Sequence, residues 1–156
     1  MNRRAEFELT SELPCGADAA WARMTTFEGI NDEFRPLLKM TAPAAVREAG
    51  LAAVTPGERI CRSWLLLFGL IPIDYDDLVL ESIGPGTEFH ERSTMLTQRL
   101  WHHDRVVVNT EAGCSVTDHV AWEPRLPIPG ALLKPIFRAV FRYRHHRLQR
   151  HFAAKS

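Results

Sequence analysis

The sequence predicts an α+β fold: a bent antiparallel sheet of about six to seven strands around a long C-terminal helix, with two short helices after strand 1. Three observations carry this. Between Pro129 and Phe152, Leu133, Phe137, Phe141, Leu148 and Phe152 recur at spacings of four or seven, with Leu132, Ile136 and Val140 widening the stripe. That is the period of one helical face. From Glu58 to Arg125 strand follows strand, joined by turns of two to five residues, so neighbours pair antiparallel. Strand–helix alternation is missing, which argues against a doubly wound parallel sheet. So broad an apolar stripe needs an apolar partner, and the upstream sheet is there to supply it.

The elements follow in order. Phe7, Leu9 and Ser11 alternate with Glu6, Glu8 and Thr10 across Ala5 to Leu13, the pattern of a half-buried strand. Pro14-Cys15-Gly16 breaks it. Ala17 to Thr26 reads as a helix with its cap near Gly16 or Asp18, and Phe27 to Phe34 as a second, stopped by Pro36. Leu37 to Thr41 is a short strand, and the small-residue-rich stretch from Pro43 to Gly57 a loop with one helical turn. Strands are then predicted over Arg59 to Phe68, Ile73 to Ile83, Thr87 to Leu96, Gln98 to Thr110 and Ser115 to Arg125. Pro129-Gly130 opens the final helix, where Pro135 is tolerated near the first turn.

The 156 residues suffice for one domain, 1–156, with one sizeable core. The apolar fraction of 46% and charged fraction of 24% are ordinary for a soluble protein. Cys15, Cys61 and Cys114 are odd in number and far apart, which suggests neither a disulfide framework nor a zinc ribbon and points to a reducing cytoplasm. The N-terminus lacks the apolar run of a secretory signal. The longest apolar run, Trp64 to Ile73, is interrupted by Gly69 and Pro72 and is too short to span a bilayer, so no stable membrane insertion is expected.

Net charge is zero, but residues 131–156 carry seven Lys or Arg and no acid, against −7 from twelve bases and nineteen acids upstream. A solvated basic helix face, suited to a helix C-terminus, is the simplest account; pairing with acids on the sheet rim is a second and contact with anionic lipid a third. Nothing like a nucleic-acid recognition motif accompanies the charge, so no nucleic-acid partner is expected. With no G-x-G-x-x-G, P-loop or G-x-S-x-G, nucleotide, phosphoryl and acyl-transfer chemistry have no support, and no cofactor is expected. The oligomeric state is open, with a dimer through an exposed edge strand one option.

A bent sheet closes only partly around a helix, and the remaining space is a natural ligand cavity. Trp101, His103, Arg105 and Val107 share one strand face, and Val116, Asp118, Val120 and Trp122 one face of the next. A hairpin through Ala112-Gly113 would bring Asp118 to Arg105 or His103. Such a His–Asp pair would serve either as a structural ion pair or as a proton relay. Arg144 and His145 interrupt the apolar stripe of the last helix. Arg144 either enters the cavity as a donor or lies at its edge; His145 is expected at the edge with its head in water. Trp64, Leu66 and Phe68, or the alternate set Leu65 and Leu67, would add apolar lining. The acidic run Asp74, Asp76, Asp77 reads as a solvated strand face. His90, His103 and His119 could approach one another across strands, but no metal-binding motif is present and no metal is expected.

The run Trp101-x-His103-x-Arg105-x-Val107, then Val116-x-Asp118-x-Val120-x-Trp122, Pro129-Gly130 and Phe141-Arg142-Tyr143-Arg144-His145 resembles the W-x-H-x-H, D-x-V-x-Y, P-x-G and F-x-Y-R-H elements of the START-like, helix-grip superfamily (SRPBCC), in that order. Arg105 stands where a second His is common and Trp122 where a Tyr is. The superfamily includes polyketide cyclases/dehydratases and lipid carriers. The resemblance therefore implies a domain that binds a lipophilic small molecule between sheet and helix. Trp64, Leu66, Trp101, His103, Arg105, Val120, Trp122, Phe137, Phe141 and Arg144 are the expected lining. The alternatives are a cyclase/dehydratase using His103 and Asp118 for acid–base chemistry with Arg144 beside them, and a membrane-associated lipid carrier.

Overall fold

The computed structural model describes residues 2–155, the side chain of Ala52 excepted. Strand β1 (Ala5–Leu13) leads into helices α1 (Ala17–Met24) and α2 (Phe27–Phe34), then β2 (Leu38–Met40). The small-residue stretch forms more than the one turn expected: a six-residue helix, α3 (Ala44–Ala49), and a 3₁₀ turn at Leu51–Ala53. Strands β3 (Arg59–Leu67), β4 (Ile71–Ile83), β5 (Glu88–Met95), β6 (Gln98–Thr110) and β7 (Gly113–Pro124) follow. A 3₁₀ turn at Gly130–Leu133 then runs into α4 (Lys134–Ala153).

The seven strands form one antiparallel sheet in the order β1-β7-β6-β5-β4-β3-β2, curled around α4. This is the α+β helix-grip architecture that the two hydrophobic periods predict. β4 begins two residues earlier than expected because Pro72 is accommodated where the β3–β4 register shifts between Leu65 and Leu66. Pro has no N–H for the ladder and fits where a bulge interrupts it.

Concave-face residues form three apolar clusters. One joins α1 and the end of α4 to β6 and β7 through Met24, Val107, Val116, Leu148 and Phe152. A second gathers Phe27, Ile30, Phe34, Leu78, Leu80 and Phe89 around α2. The third packs Phe7, Trp101, Val120, Trp122 and Phe141. Gly130 secures the approach to α4. A Cβ there would meet the Arg3 carbonyl oxygen at 2.2 Å, and its own carbonyl accepts from Trp122 Nε1 at 3.0 Å.

The apolar stripe of α4 is narrower than expected. Leu132 and Ile136 are exposed, and the buried set is Phe141, Arg144, His145, Leu148 and Phe152. Two polar residues thus occupy stripe positions. The basic surface of the helix divides likewise: Lys134, Arg138, Arg142 and Arg150 are exposed, whereas Arg144 and Arg147 reach the acids Glu33 and Asp32 of α2. Among the described residues no helix is long and apolar enough to cross a membrane.

Candidate functional site

Strand register assembles the polar part of the site. On β5, β6 and β7 alternate residues point inward, and the ladders set Glu91 opposite His103 and Arg105 opposite Asp118. Asp118 accepts four N–H bonds. His103 Nε2 (2.7 Å) and Arg105 Nε (2.8 Å) reach Oδ1; Arg105 Nη2 (2.8 Å) and His145 Nε2 (2.7 Å) reach Oδ2. An ionised carboxylate only accepts and offers about four lone-pair sites, so both imidazoles donate from Nε2 and Asp118 is saturated.

The other side of the Arg105 guanidinium holds Glu33 of α2, at 3.1 Å from Nη1 and 3.0 Å from Nη2. Glu33 also accepts from Arg144 Nε of α4 at 3.2 Å. A continuous buried network therefore ties sheet, α2 and α4 together. His103 completes it: its Nδ1 lies 3.6 Å from Glu91 Oε2, and its ring stands edge-on to Phe89 and Phe141.

Burial by itself would raise the Asp118 carboxyl, but Arg105 and His103 outweigh it and hold the group well below the usual carboxylate range. Burial would lower His103; Asp118 and Glu91 overcome that and raise it. Arg105 is raised despite burial by Asp118 and Glu33, whereas burial leaves Arg144 lowered. Glu91 is held low, despite burial, by His103.

Beside this network lies a cavity of about 210 Å³ between the sheet, α2 and α4. Phe27, Phe34, Leu78, Leu80, Phe137 and Val140 give it an apolar wall. Asp74, Asp76, Glu91, His103, Arg105 and Arg144 are its polar lining. Six of the expected lining residues are there: Trp101, His103, Arg105, Phe137, Phe141 and Arg144. Val120 and Trp122 face the same way but are fully buried among Phe7, Phe137 and Phe141.

Trp64 and Leu66 require correction, since neither lines the cavity. Trp64 is 39% exposed and stacks edge-on against Tyr75. The concave positions of β3 are the odd ones, so small Cys61 and Ser63 are buried and Leu65 lines the cavity. Register, not side-chain size, decides which residues turn inward.

Two polar expectations also change. His145 is buried and bonded to Asp118, because its helix position faces the sheet one turn beyond Phe141. The acidic run is not a solvated face: Asp76 is buried in the cavity wall. Asp74 accepts from Thr97, and Asp77 pairs with Arg62 on the outside. The three histidines considered together are parted by the sheet. His90 and His119 meet Asp104 on the outer face, while His103 lies inside. Among the described residues no group of three His, Cys, Asp or Glu is placed to hold a metal ion.

Glu33, Glu91 and Ser93 were not anticipated. Each carried a signal: Glu33 falls on the Phe27–Ile30–Phe34 stripe of α2, and Glu91 and Ser93 alternate with Phe89 and Met95 on β5. A polar residue in an apolar phase is a buried group awaiting a partner.

The fold is shared with known structures at low sequence identity. A START superfamily protein from Mycobacterium smegmatis superposes with a TM-score of 0.71 at 11% identity, covering 97% of this chain and 99% of that one. A protein from Chromobacterium violaceum gives 0.67 at 10% identity over 94% and 96%. DynU16, from the dynemicin biosynthetic locus, gives 0.60 at 14% identity; all of this chain matches 49% of that one. No curated protein matches the sequence. The inward polar pattern, the grip on α4 and these likenesses establish a START-like fold. Residues 11–152 match one sequence family, and the chain belongs to it: the family described as a domain of unknown function, DUF8410.

Proposed function

We propose that residues 1–156 form a single START-like domain that holds a small lipophilic molecule between the curved sheet and α4. The observation that carries this is the cavity, apolar on most of its wall and with a few polar groups in its lining. Its 210 Å³ lies below the ~300–1,000 Å³ usual for drug-sized ligands, so the fitting guest is small. Cys15, Cys61 and Cys114 are free thiols, which supports a reducing, cytoplasmic setting.

Native mass spectrometry of the purified protein, with solvent extraction of whatever is released, tests the reading. A co-purified lipophilic molecule is expected, and Val140→Phe, which fills the cavity from α4, should abolish its retention. Retention unchanged in that variant would move the guest elsewhere. The cyclase/dehydratase alternative draws less support: the Asp118 acceptors are all taken, and His103 is held between two carboxylates. A proton relay needs a group free to exchange its proton with substrate.

One observation favours a carrier that touches membranes. The β3–β4 tip exposes Phe68 (61%), Leu70 (82%) and Ile71, and Ile73 beside it lines the cavity. Phe68 shares a surface groove with the cations Arg35, Lys39 and Arg47. Apolar side chains at a tip with cations nearby suit an anionic bilayer. Leu70→Asp should then cut sedimentation with phosphatidylserine vesicles, and equal sedimentation of variant and wild type would remove this reading.

A further inference from the structure

Asp76 is the polar group of the cavity wall that the network does not absorb. Alternation along β4 places it inward with Leu78 and Leu80, and it is 4% exposed. Among the described residues no cation pairs with it, and its Oδ1 has no hydrogen-bond partner. Asp76 lies beside Glu91 and Ser93, and burial together with the Glu91 charge raises its carboxyl well above the usual range. Glu91 takes the Ser93 hydroxyl at 2.9 Å and faces His103, both of which support its charge. A carboxyl oxygen accepts in either protonation state, and among the described residues nothing fills the capacity of Oδ1.

The other charged groups around the cavity have partners of their own. Glu33, Glu91 and Asp118 face Arg105, Arg144 and His103, and Asp74 accepts from the Thr97 amide and hydroxyl. A charged guest would bring an uncompensated charge into an apolar cavity, at high cost. An uncharged guest with an O–H to donate would meet the open Asp76 oxygen.

We infer that the guest is an uncharged lipophilic molecule bearing a hydroxyl group, and that Asp76 selects it by accepting the hydroxyl hydrogen. This rests on the cavity reading above and adds the chemistry of the guest's polar end.

Calorimetric titration at pH 7 with four bicyclic probes of one shape tests it: naphthalene, 2-naphthol, 2-naphthoate and 2-naphthylmethylammonium. In the wild type 2-naphthol should bind about tenfold more tightly than naphthalene, one hydrogen bond's worth, and more tightly than either ion. Asp76→Leu should erase the advantage of 2-naphthol while naphthalene still binds. Asp76→Asn, which keeps an amide carbonyl to accept, should retain it. Should Asp76→Leu fail to fold, the wild-type ranking and the Asn variant decide. Equal affinity for naphthalene and 2-naphthol would overturn the inference and leave the cavity reading standing. Tightest binding of 2-naphthoate would overturn it in favour of Arg144, and tightest binding of the ammonium in favour of a cation site at the acid pair. Binding of none of the four would overturn the inference and the cavity reading together.

Discussion

Asp118 and Asp76 are both buried carboxyl groups on the concave face, yet they are solvated by the protein in opposite ways. Asp118 collects four N–H donors from Arg105, His103 and His145 and stays charged. Among the described residues Asp76 has no cation and sits beside a second acid: burial, then the nearby Glu91 charge, raises it well above the usual range. The difference teaches which buried polar group is available. A saturated carboxylate holds structure, because any approach by substrate must first break a bond already made. A half-satisfied one beside a second acid is costly to the fold and still has an oxygen to offer.

Breaking the first region should have the largest effect. Asp118→Asn would set an NH₂ against donors and strand Arg105, costing about 3–5 kcal/mol on the scale of broken buried ion pairs. Urea unfolding checks this, and a loss below about 1 kcal/mol would remove Asp118 from its structural role. Glu33→Gln, which keeps the shape but removes the charge shared by Arg105 and Arg144, should cost less, about 1.5–3 kcal/mol.

Asp76 sharpens the contrast with the opposite sign. Asp76→Asn keeps a neutral group that can donate to Glu91 and should stabilise the empty protein, by about 1 kcal/mol at pH 7. The sign has a pH signature. The folded value of Asp76 lies above its unfolded one, so the unfolded chain loses its proton first, and wild-type stability falls as pH rises between the two. Asn does not titrate. The advantage of the variant should be small near pH 4 and widen toward neutrality; an advantage that shrinks with pH would show Asp76 to be charged.

His103, raised in the folded state, stabilises fully below its unfolded value of about 6.5, and the contribution is lost as pH climbs through the folded value. His103→Gln should flatten that alkaline slope in thermal melts. The smallest effect is expected at Trp64, exposed and off the cavity: Trp64→Ala should cost about 1 kcal/mol of edge-on packing with Tyr75 and leave probe affinity unchanged.

The legible part of this molecule was its periodicity. The strand period showed Asp118 in phase with Val116 and Val120, and His103 and Arg105 in phase with Trp101, before any contact was known. The same rule, applied to β5 and α2, would have found Glu91 and Glu33. It misled at β3, where bulky Trp64 and Leu66 looked like the buried set and small Cys61 and Ser63 are.

By itself, then, the sequence determined the element order, the antiparallel sheet and the helix it grips, because hydrophobic period and turn chemistry act over a few residues. Only the tertiary structure decided who partners whom. Arg105 meets Glu33 across 72 positions, and Arg144 meets the same Glu33 across 111. The protonation of each acid depends on those partners: a buried carboxyl stays charged only where donors converge on it, and convergence is a property of the closed fold.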